Sequence, residues 1–140
     1  MKNFKLLVLF SLISCASDGN LCPEKWQLVK MTGNVAGVPP STGSNMGWQE
    51  CYLLYPDNTF KKIREQNNQT TEVDGSYKEL PLSDGVYLEL VFKNDNNLIG
   101  SCSGDKKELL KKSTDQLIST WWNCDGPGLF YEKTHFDCVQ

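Results

Sequence analysis

Short runs of alternating apolar and polar residues, separated by turn residues, extend along the chain from residue 22 to residue 138. This period is typical of half-buried strands, and almost no segment has the spacing of an amphipathic helix. The predicted strands are 25–31, 48–55, 59–65, 70–78, 86–92, 98–102, 108–112, 116–122 and 129–136. The pattern predicts an all-β antiparallel up-and-down meander of about eight strands, folded as a barrel or a sandwich, and a closed barrel would leave no exposed edge.

Turn residues place the connections. The segment 32–47 is rich in Gly, Pro and Ser, so we predict a long loop without a strand. The sequence Pro56-Asp57-Asn58 predicts a tight hairpin turn. The pair Asp74-Gly75 lies within a predicted strand and indicates either a bulge or a turn.

Composition narrows the function class. The chain has 140 residues, a formal net charge of −3 and a single arginine, Arg64. This length fits one globular domain. The sequence has no cluster of basic residues of the kind that nucleic-acid-binding proteins use to contact phosphates. We therefore predict a single domain that does not bind nucleic acid.

The first 14 residues have the features of a secretory signal. Lys2 and Lys5 precede a short apolar run, 6–12, which is too short to cross a bilayer. The end of this run overlaps the segment Leu12-Ile13-Ser14-Cys15, which resembles the lipobox of bacterial lipoproteins. In that family the cysteine is lipidated and becomes the new N-terminus, so the resemblance implies a signal peptide over 1–14 and a lipid on Cys15.

Lipidation would make the chain a membrane-anchored protein of the cell envelope. Removing residues 1–14 leaves 12 basic against 17 acidic side chains, a net charge of −5, so the acyl chains must provide the membrane attachment. Ala16 follows the cysteine, and in the enterobacterial sorting pattern this resembles delivery to the outer membrane. Residues 15–21 then form a tether, and 22–138 form the folded domain.

Five cysteines follow Cys15, in a chain whose signal directs it to an oxidising compartment. A hairpin centred on residues 113–115 would bring Cys102 and Cys124 together. Cys22 and Cys138 bracket the domain and can pair if the first and last strands are neighbours, as a closed barrel requires. We predict these two disulfides and a free, buried Cys51.

Three short motifs resemble the small bacterial lipocalin-like lipoproteins: the segment 22–31 with Trp26, the turn sequence Tyr55-Pro56-Asp57-Asn58-Thr59-Phe60, and Gly75-Ser76-Tyr77. Together they extend over most of the mature chain, and they imply a lipocalin-like barrel. Lipocalins proper have a glycine two positions before the first-strand tryptophan, where this chain has Glu24, and an arginine near the end of the last strand, where this chain has none. The resemblance therefore implies the fold and no particular ligand.

The sequence offers no catalytic or metal-binding set. His135 is the only imidazole, the motif Gly-x-Ser-x-Gly is absent, and no cysteines form a CxxC pair. We predict that the protein is not an enzyme and that it uses no cofactor and no metal.

Ligand binding has better support, because a barrel of about eight strands either is filled by side chains or holds one small ligand. The residues that would line such a site are Phe60, Arg64, Trp48 and Trp122. Alternation places Phe60, Lys62 and Arg64 on one face, and an inward Arg64 would pair with a ligand carboxylate. We nevertheless expect Arg64 to face water, because the same face would otherwise bury Lys62 as an unpaired charge.

Two functions remain open. The first is a lipid-anchored carrier or sensor of a small apolar or amphipathic molecule. The second is an interaction module with a side-chain-filled barrel, which binds a protein partner, of a kind that the sequence does not identify, through its outer face or the 32–47 loop.

Overall fold

The computed structural model describes residues 22–33 and 37–135. In this part of the chain the strands are β1 (Glu24–Thr32), β2 (Ser41–Thr42), β3 (Gln49–Leu54), β4 (Thr59–Gln66), β5 (Gln69–Leu82), β6 (Gly85–Phe92), β7 (Lys107–Lys112), β8 (Gln116–Ser119) and β9 (Gly128–Thr134). Two short 3₁₀ helices, Gly43–Asn45 and Trp121–Cys124, lie in connections. Within the described residues, no helix has the length and apolar character needed to cross a membrane.

Eight of these strands form a closed antiparallel barrel, as the alternating pattern predicted. Each strand from β3 to β8 pairs with the next along the chain, and β1 pairs with both β3 and β9 to close the ring. The order is an up-and-down meander of the lipocalin-like type, so the predicted fold class is confirmed. Closure leaves no unpaired strand edge around the ring.

The core fills the barrel because alternate residues of every strand point inward. Its buried apolar side chains include Trp26, Leu28, Tyr52, Leu54, Phe60, Leu88, Leu90, Phe92, Leu110, Leu117, Leu129 and Tyr131. A register shift between Leu28 and Lys30 changes which residues of β1 point inward: even-numbered residues do so before the shift and odd-numbered residues after it. Met31 then packs against the core, while Lys30 lies over the outward Phe130 ring, 3.9 Å from its centre.

The two ends of the barrel differ. At one end, here called the loop end, lie the long connections 37–48, 93–106 and 120–127 and the short turn Asn67-Asn68. The opposite end, the hairpin end, has three tight turns at 55–58, 83–84 and 113–115, and β1 begins there.

Eight of the nine predicted strands are present; β5 continues four residues past its predicted end at 78, and β9 ends at Thr134, while Phe136 lies outside the described residues. Residues 98–102 form no strand, because the backbone of Leu98 and Gly100 bonds to buried side chains rather than to a neighbouring strand. The strand predicted over 116–122 ends at Ser119, and the chain turns into the second 3₁₀ helix. The 32–47 loop contains the two-residue strand β2, which pairs with Lys30 and Met31 on β1.

The pair Asp74-Gly75 forms neither a turn nor a bulge, because β5 runs through it without a break. The first half of β5 pairs with β4 and the second half with β6, and the two halves overlap at Gly75 and Ser76. A Cβ on Gly75 would lie 2.0 Å from the Val91 carbonyl oxygen. Glycine is required here because the β6 backbone comes too close for any side chain.

The predicted Cys102–Cys124 disulfide is confirmed, with a Cα–Cα distance of 5.6 Å. It ties the 93–106 connection to the second 3₁₀ helix at the loop end. Cys51 is free, as predicted, but it is half-buried rather than buried, because it lies on the outward face of β3 between Gln27 and Ile63. Cys138 and Cys15 lie outside the described residues, so the Cys22–Cys138 link stays a prediction, although the adjacency of β1 and β9 that it needs is present.

Candidate functional site

Six ionisable side chains meet inside the barrel towards the loop end. This buried charged network consists of Glu50 and Tyr52 on β3, Lys62 and Arg64 on β4, Glu108 on β7, and Tyr131 on β9. Each takes an inward position of its strand, so alternation alone brings it to the interior. All are at most 8% exposed.

Lys62 and Glu108 form the central pair. The Lys62 Nζ donates to Glu108 Oε1 at 2.6 Å and to the Leu98 carbonyl at 2.7 Å. The same carboxylate oxygen accepts the backbone N–H of Gly100 at 2.6 Å. The 93–106 connection therefore supplies both a backbone acceptor and a backbone donor to this pair.

Glu50 and Arg64 form the second pair. The Arg64 Nε donates to Glu50 Oε2 at 2.5 Å, and the Lys62 Nζ lies 3.5 Å from Glu50 Oε1. Lys62 thus stands between the two carboxylates. The network holds two carboxylates and two cations, so its formal charges balance.

The two tyrosines complete the carboxylate coordination. The Tyr52 hydroxyl donates to Glu108 Oε2 at 2.6 Å, and the Tyr131 hydroxyl donates to Glu50 Oε1 at 2.5 Å. The rings also contact each other edge to face, with 5.0 Å between their centres. Every carboxylate oxygen of the network therefore accepts at least one hydrogen bond, as buried charges require.

Burial raises the pKa of both phenols well above the ordinary tyrosine value. Removal from water is the largest cause, because it disfavours the phenolate. The nearby carboxylates, chiefly Glu108 for Tyr52 and Glu50 for Tyr131, raise each pKa further. Both hydroxyls consequently stay protonated, and they act as hydrogen-bond donors within the network.

Arg64 faces inward, contrary to the expectation that it would face water. The expectation was wrong because it assumed that a buried Lys62 would be unpaired, whereas Glu50 on the neighbouring strand β3 and Glu108 on β7, across the interior, neutralise both cations. The guanidinium also lies over the Trp48 ring, with its Cζ 4.3 Å from the ring centre. Its Nη2 is covered and has no hydrogen-bond partner among the described residues.

Of the four residues predicted to line a ligand site, the structure brings Arg64 and Trp48 into contact but does not bring Phe60 and Trp122 to them. Phe60 is in the core, where its ring contacts Phe92 edge to face at 5.0 Å, and Trp48 is half-buried at the loop end beside Arg64. Trp122 is 58% exposed on the second 3₁₀ helix, so it does not line the barrel interior as a ligand held there would require, and its contact with a ligand stays a prediction.

Sequence reasoning missed Glu50, Glu108 and the two tyrosines. The sequence contained a signal for the two glutamates, because residues two apart in a strand point to the same face. Glu50 comes two residues before Tyr52, and Glu108 comes two residues before Leu110, so each shares a face with a core position. A carboxylate in phase with a core face needs a buried partner. Lys62, in phase with Phe60, offered one.

A cleft of about 370 Å³ opens on the surface of the loop end, next to the network. It lies between the segment 44–49 and the β4–β5 turn. Its lining side chains and backbone belong to Ser44, Met46, Gly47, Trp48, Gln49, Glu65, Gln66, Asn67 and Asn68.

A second cleft, of about 330 Å³, lies beside the disulfide, and Glu89, Ser101, Cys102 and Asp105 are among the residues that line it. Within the described residues, no three His, Cys, Asp or Glu side chains lie close enough together to hold a metal ion.

Comparison with known proteins gives no relative on which to base a function. The chain matches no protein-family model, no curated protein and no solved structure.

The network predicts that two adjacent lysines, Lys61 and Lys62, contribute very differently to the stability of the fold. Lys62→Met should lower the free energy of unfolding by about 3–5 kcal/mol, because it leaves two buried carboxylates short of a cation. Lys61→Met is the matched control: Lys61 is on the outward face, half-exposed and 3.7 Å from Glu72, so its loss should change stability by less than about 1 kcal/mol. Chemical denaturation measures both values, and equal effects would contradict the network's role.

The tyrosine pKa values predict a loss of stability at alkaline pH. Above about pH 10 the unfolded phenols ionise while the raised folded pKa keeps the native ones protonated, so stability falls as pH rises towards the folded pKa. Tyr52→Phe and Tyr131→Phe should each be less stable than wild type at neutral pH, because a hydrogen bond to a carboxylate is lost. Each should also lose less stability between about pH 9 and about pH 11. Unfolding curves across this range test the prediction, and slopes identical to wild type would refute it.

Proposed function

We propose that the protein is a lipid-anchored, lipocalin-like protein of the cell envelope whose filled barrel serves as a rigid interaction module. It would bind a protein partner at the loop end. The observation that carries this proposal is the occupation of the interior by paired charges and large side chains. Delivery to the outer membrane, inferred from Ala16, is part of the proposal.

The filled interior favours a module over a carrier. Trp26, Tyr52, Phe60, Lys62 and Tyr131 are each at most 1% exposed, and they occupy the middle of the barrel where a carried molecule would lie. A ligand could enter only by displacing these side chains and separating ion pairs. Breaking a buried pair costs several kcal/mol, more than burial of a few apolar atoms regains.

The position of the first strand gives the module an orientation. A lipid on Cys15 would be seven residues before Cys22, a reach of about 25 Å at most. Because β1 begins at the hairpin end, this anchor would hold that end towards the membrane. The loop end would then face away from the bilayer, where a partner can reach it.

The loop end presents an exposed tryptophan on a rigid base. Trp122 lies between the neighbouring Trp121, which packs against the core, and Cys124, which is tied to Cys102. Added Cβ atoms on Gly100 and Gly126 would lie 2.6 Å and 2.4 Å from the Trp121 ring, so this ring is clamped between two backbone segments. Tryptophans held in this way are common energetic centres of protein interfaces. Val38, also 58% exposed, lies in another connection of the same end.

One observation favours the carrier as a second candidate. The covered Nη2 of Arg64 has no hydrogen-bond partner among the described residues, and an unsatisfied buried donor costs about 1–3 kcal/mol. The carboxylate of a small amphipathic ligand would satisfy it. Such a ligand would have to enter from the loop end, past Trp48.

Lipidation is tested by Cys15→Ala. The acyl chains are the membrane attachment proposed here, so the variant that lacks them should move from the membrane to the soluble fraction of fractionated host cells. Cys51→Ala, which also removes a thiol, is the control and should stay in the membrane fraction. A Cys15→Ala variant that remains membrane-bound would refute the anchor.

The module is tested by site-specific photo-crosslinking in the native host. A photoreactive amino acid at position 122 should give one dominant protein adduct, while the same group at position 82, exposed at the hairpin end, should not give that adduct. The purified domain should also show no saturable binding of an apolar fluorescent probe. The carrier would instead be supported if the probe binds one-to-one, if Arg64→Ala weakens that binding, and if position 122 gives no protein adduct.

A further inference from the structure

The cleft between the segment 44–49 and the β4–β5 turn has the chemistry of a carbohydrate site. We propose that it binds a neutral saccharide. The site is on the outer surface of the loop end and does not include Trp122, so it goes beyond the proposed partner surface and does not depend on it.

Residues with side-chain amides are common in the lining of the cleft. Four of its nine lining residues, Gln49, Gln66, Asn67 and Asn68, carry an amide, and Ser44 carries a hydroxyl. An amide both donates and accepts hydrogen bonds, as sugar hydroxyls do, so each can pair with one or two neighbouring hydroxyls. The set therefore complements a polyhydroxylated ligand better than a ligand with a single charged group.

The lining carries little charge. Among the described residues that line the cleft, Glu65 is the only ionisable one, and the Arg64 guanidinium over the Trp48 ring is paired with Glu50. A phosphate or carboxylate ligand in the cleft would meet one like charge and no cation in this lining, which makes the cleft a poor anion site. A neutral sugar has no such penalty, and the Glu65 carboxylate can accept hydrogen bonds from its hydroxyls.

Trp48 supplies an apolar surface in this polar cleft. The ring is half-buried, packs against the core, and has the Arg64 guanidinium over its face at 4.3 Å. The part of the ring that stays exposed borders the cleft. The C–H face of a sugar ring can cover such an indole surface while its hydroxyls reach the amides, a combination of apolar and polar contact typical of amphipathic aromatic residues.

Several lining groups are fixed before any ligand binds. The Gln49 Nε2 donates to the Gly43 carbonyl at 2.7 Å, which leaves its amide oxygen for a ligand. Asn67 and Asn68 have φ of 53° and 60°, the left-handed conformation of a tight two-residue hairpin turn. A preformed site loses less conformational entropy on binding. The volume of about 370 Å³ lies near the lower limit for small-molecule sites and suits one or two sugar rings.

The test uses the folded domain and neutral oligosaccharides: maltotriose, cellotriose and triacetylchitotriose. NMR titration should shift the Trp48 indole N–H signal with at least one of them, and leave the Trp122 indole signal unchanged. Trp48→Ala should weaken that binding about tenfold or more, as loss of an aromatic contact requires. Trp122→Ala, which removes an exposed tryptophan at the same end, is the matched control and should bind like wild type.

Because Trp48 also packs against the core, a second variant protects the test from misfolding. Gln66→Ala removes an exposed amide whose Nε2 also reaches the Gly47 carbonyl across the cleft at 3.5 Å, and it should weaken binding about threefold or more. Asn123→Ala, an amide on the second 3₁₀ helix outside the cleft, should have no effect. The proposal would be overturned if none of the three sugars shifts the Trp48 signal, or if Gln66→Ala and Asn123→Ala lose the same amount of binding affinity. Neither result bears on the crosslink expected at position 122.

Discussion

Two carboxylates and two cations neutralise each other inside the barrel, away from water, and the rest of the structure is arranged to keep them paired. Glu50 and Arg64 are adjacent in the β3–β4 register, but Glu108 comes from β7 and reaches Lys62 across the interior. An unpaired charge at this depth would be destabilising by several kcal/mol. The barrel therefore has to close with β4 and β7 facing each other.

The same constraint explains the loop end. The 93–106 connection brings the Leu98 carbonyl and the Gly100 N–H to the Lys62–Glu108 pair, where they satisfy hydrogen bonds that water would otherwise supply. The disulfide and the clamped Trp121 ring hold this connection in place. The second 3₁₀ helix, which carries the exposed Trp122, is thus joined through the 93–106 connection to the buried charge pair.

Filling the interior also changes which functions the fold can support. A barrel of eight strands is near the size at which side chains alone occupy the middle, and here aromatic rings and ion pairs do so. In the function proposed above, recognition would then take place on the surface rather than inside the barrel. The connections of the loop end offer the exposed tryptophan and the cleft, whereas the hairpin end has tight turns and the start of β1.

The sequence by itself determined the all-β meander, most strand positions and the Cys102–Cys124 pair, because each of these depends on local alternation, turn residues or the fold of one hairpin. Alternation also showed that Phe60, Lys62 and Arg64 share a face. It could not show that this face is the interior, because the answer depends on Glu50 on β3 and Glu108 on β7. The strand predicted at 98–102 failed for the same reason: its backbone groups bond to Lys62 and Glu108, which lie 36 and 8 residues away along the chain. Which buried charges pair with each other depends on the closed tertiary structure, because only closure of the barrel brings these side chains within hydrogen-bond distance.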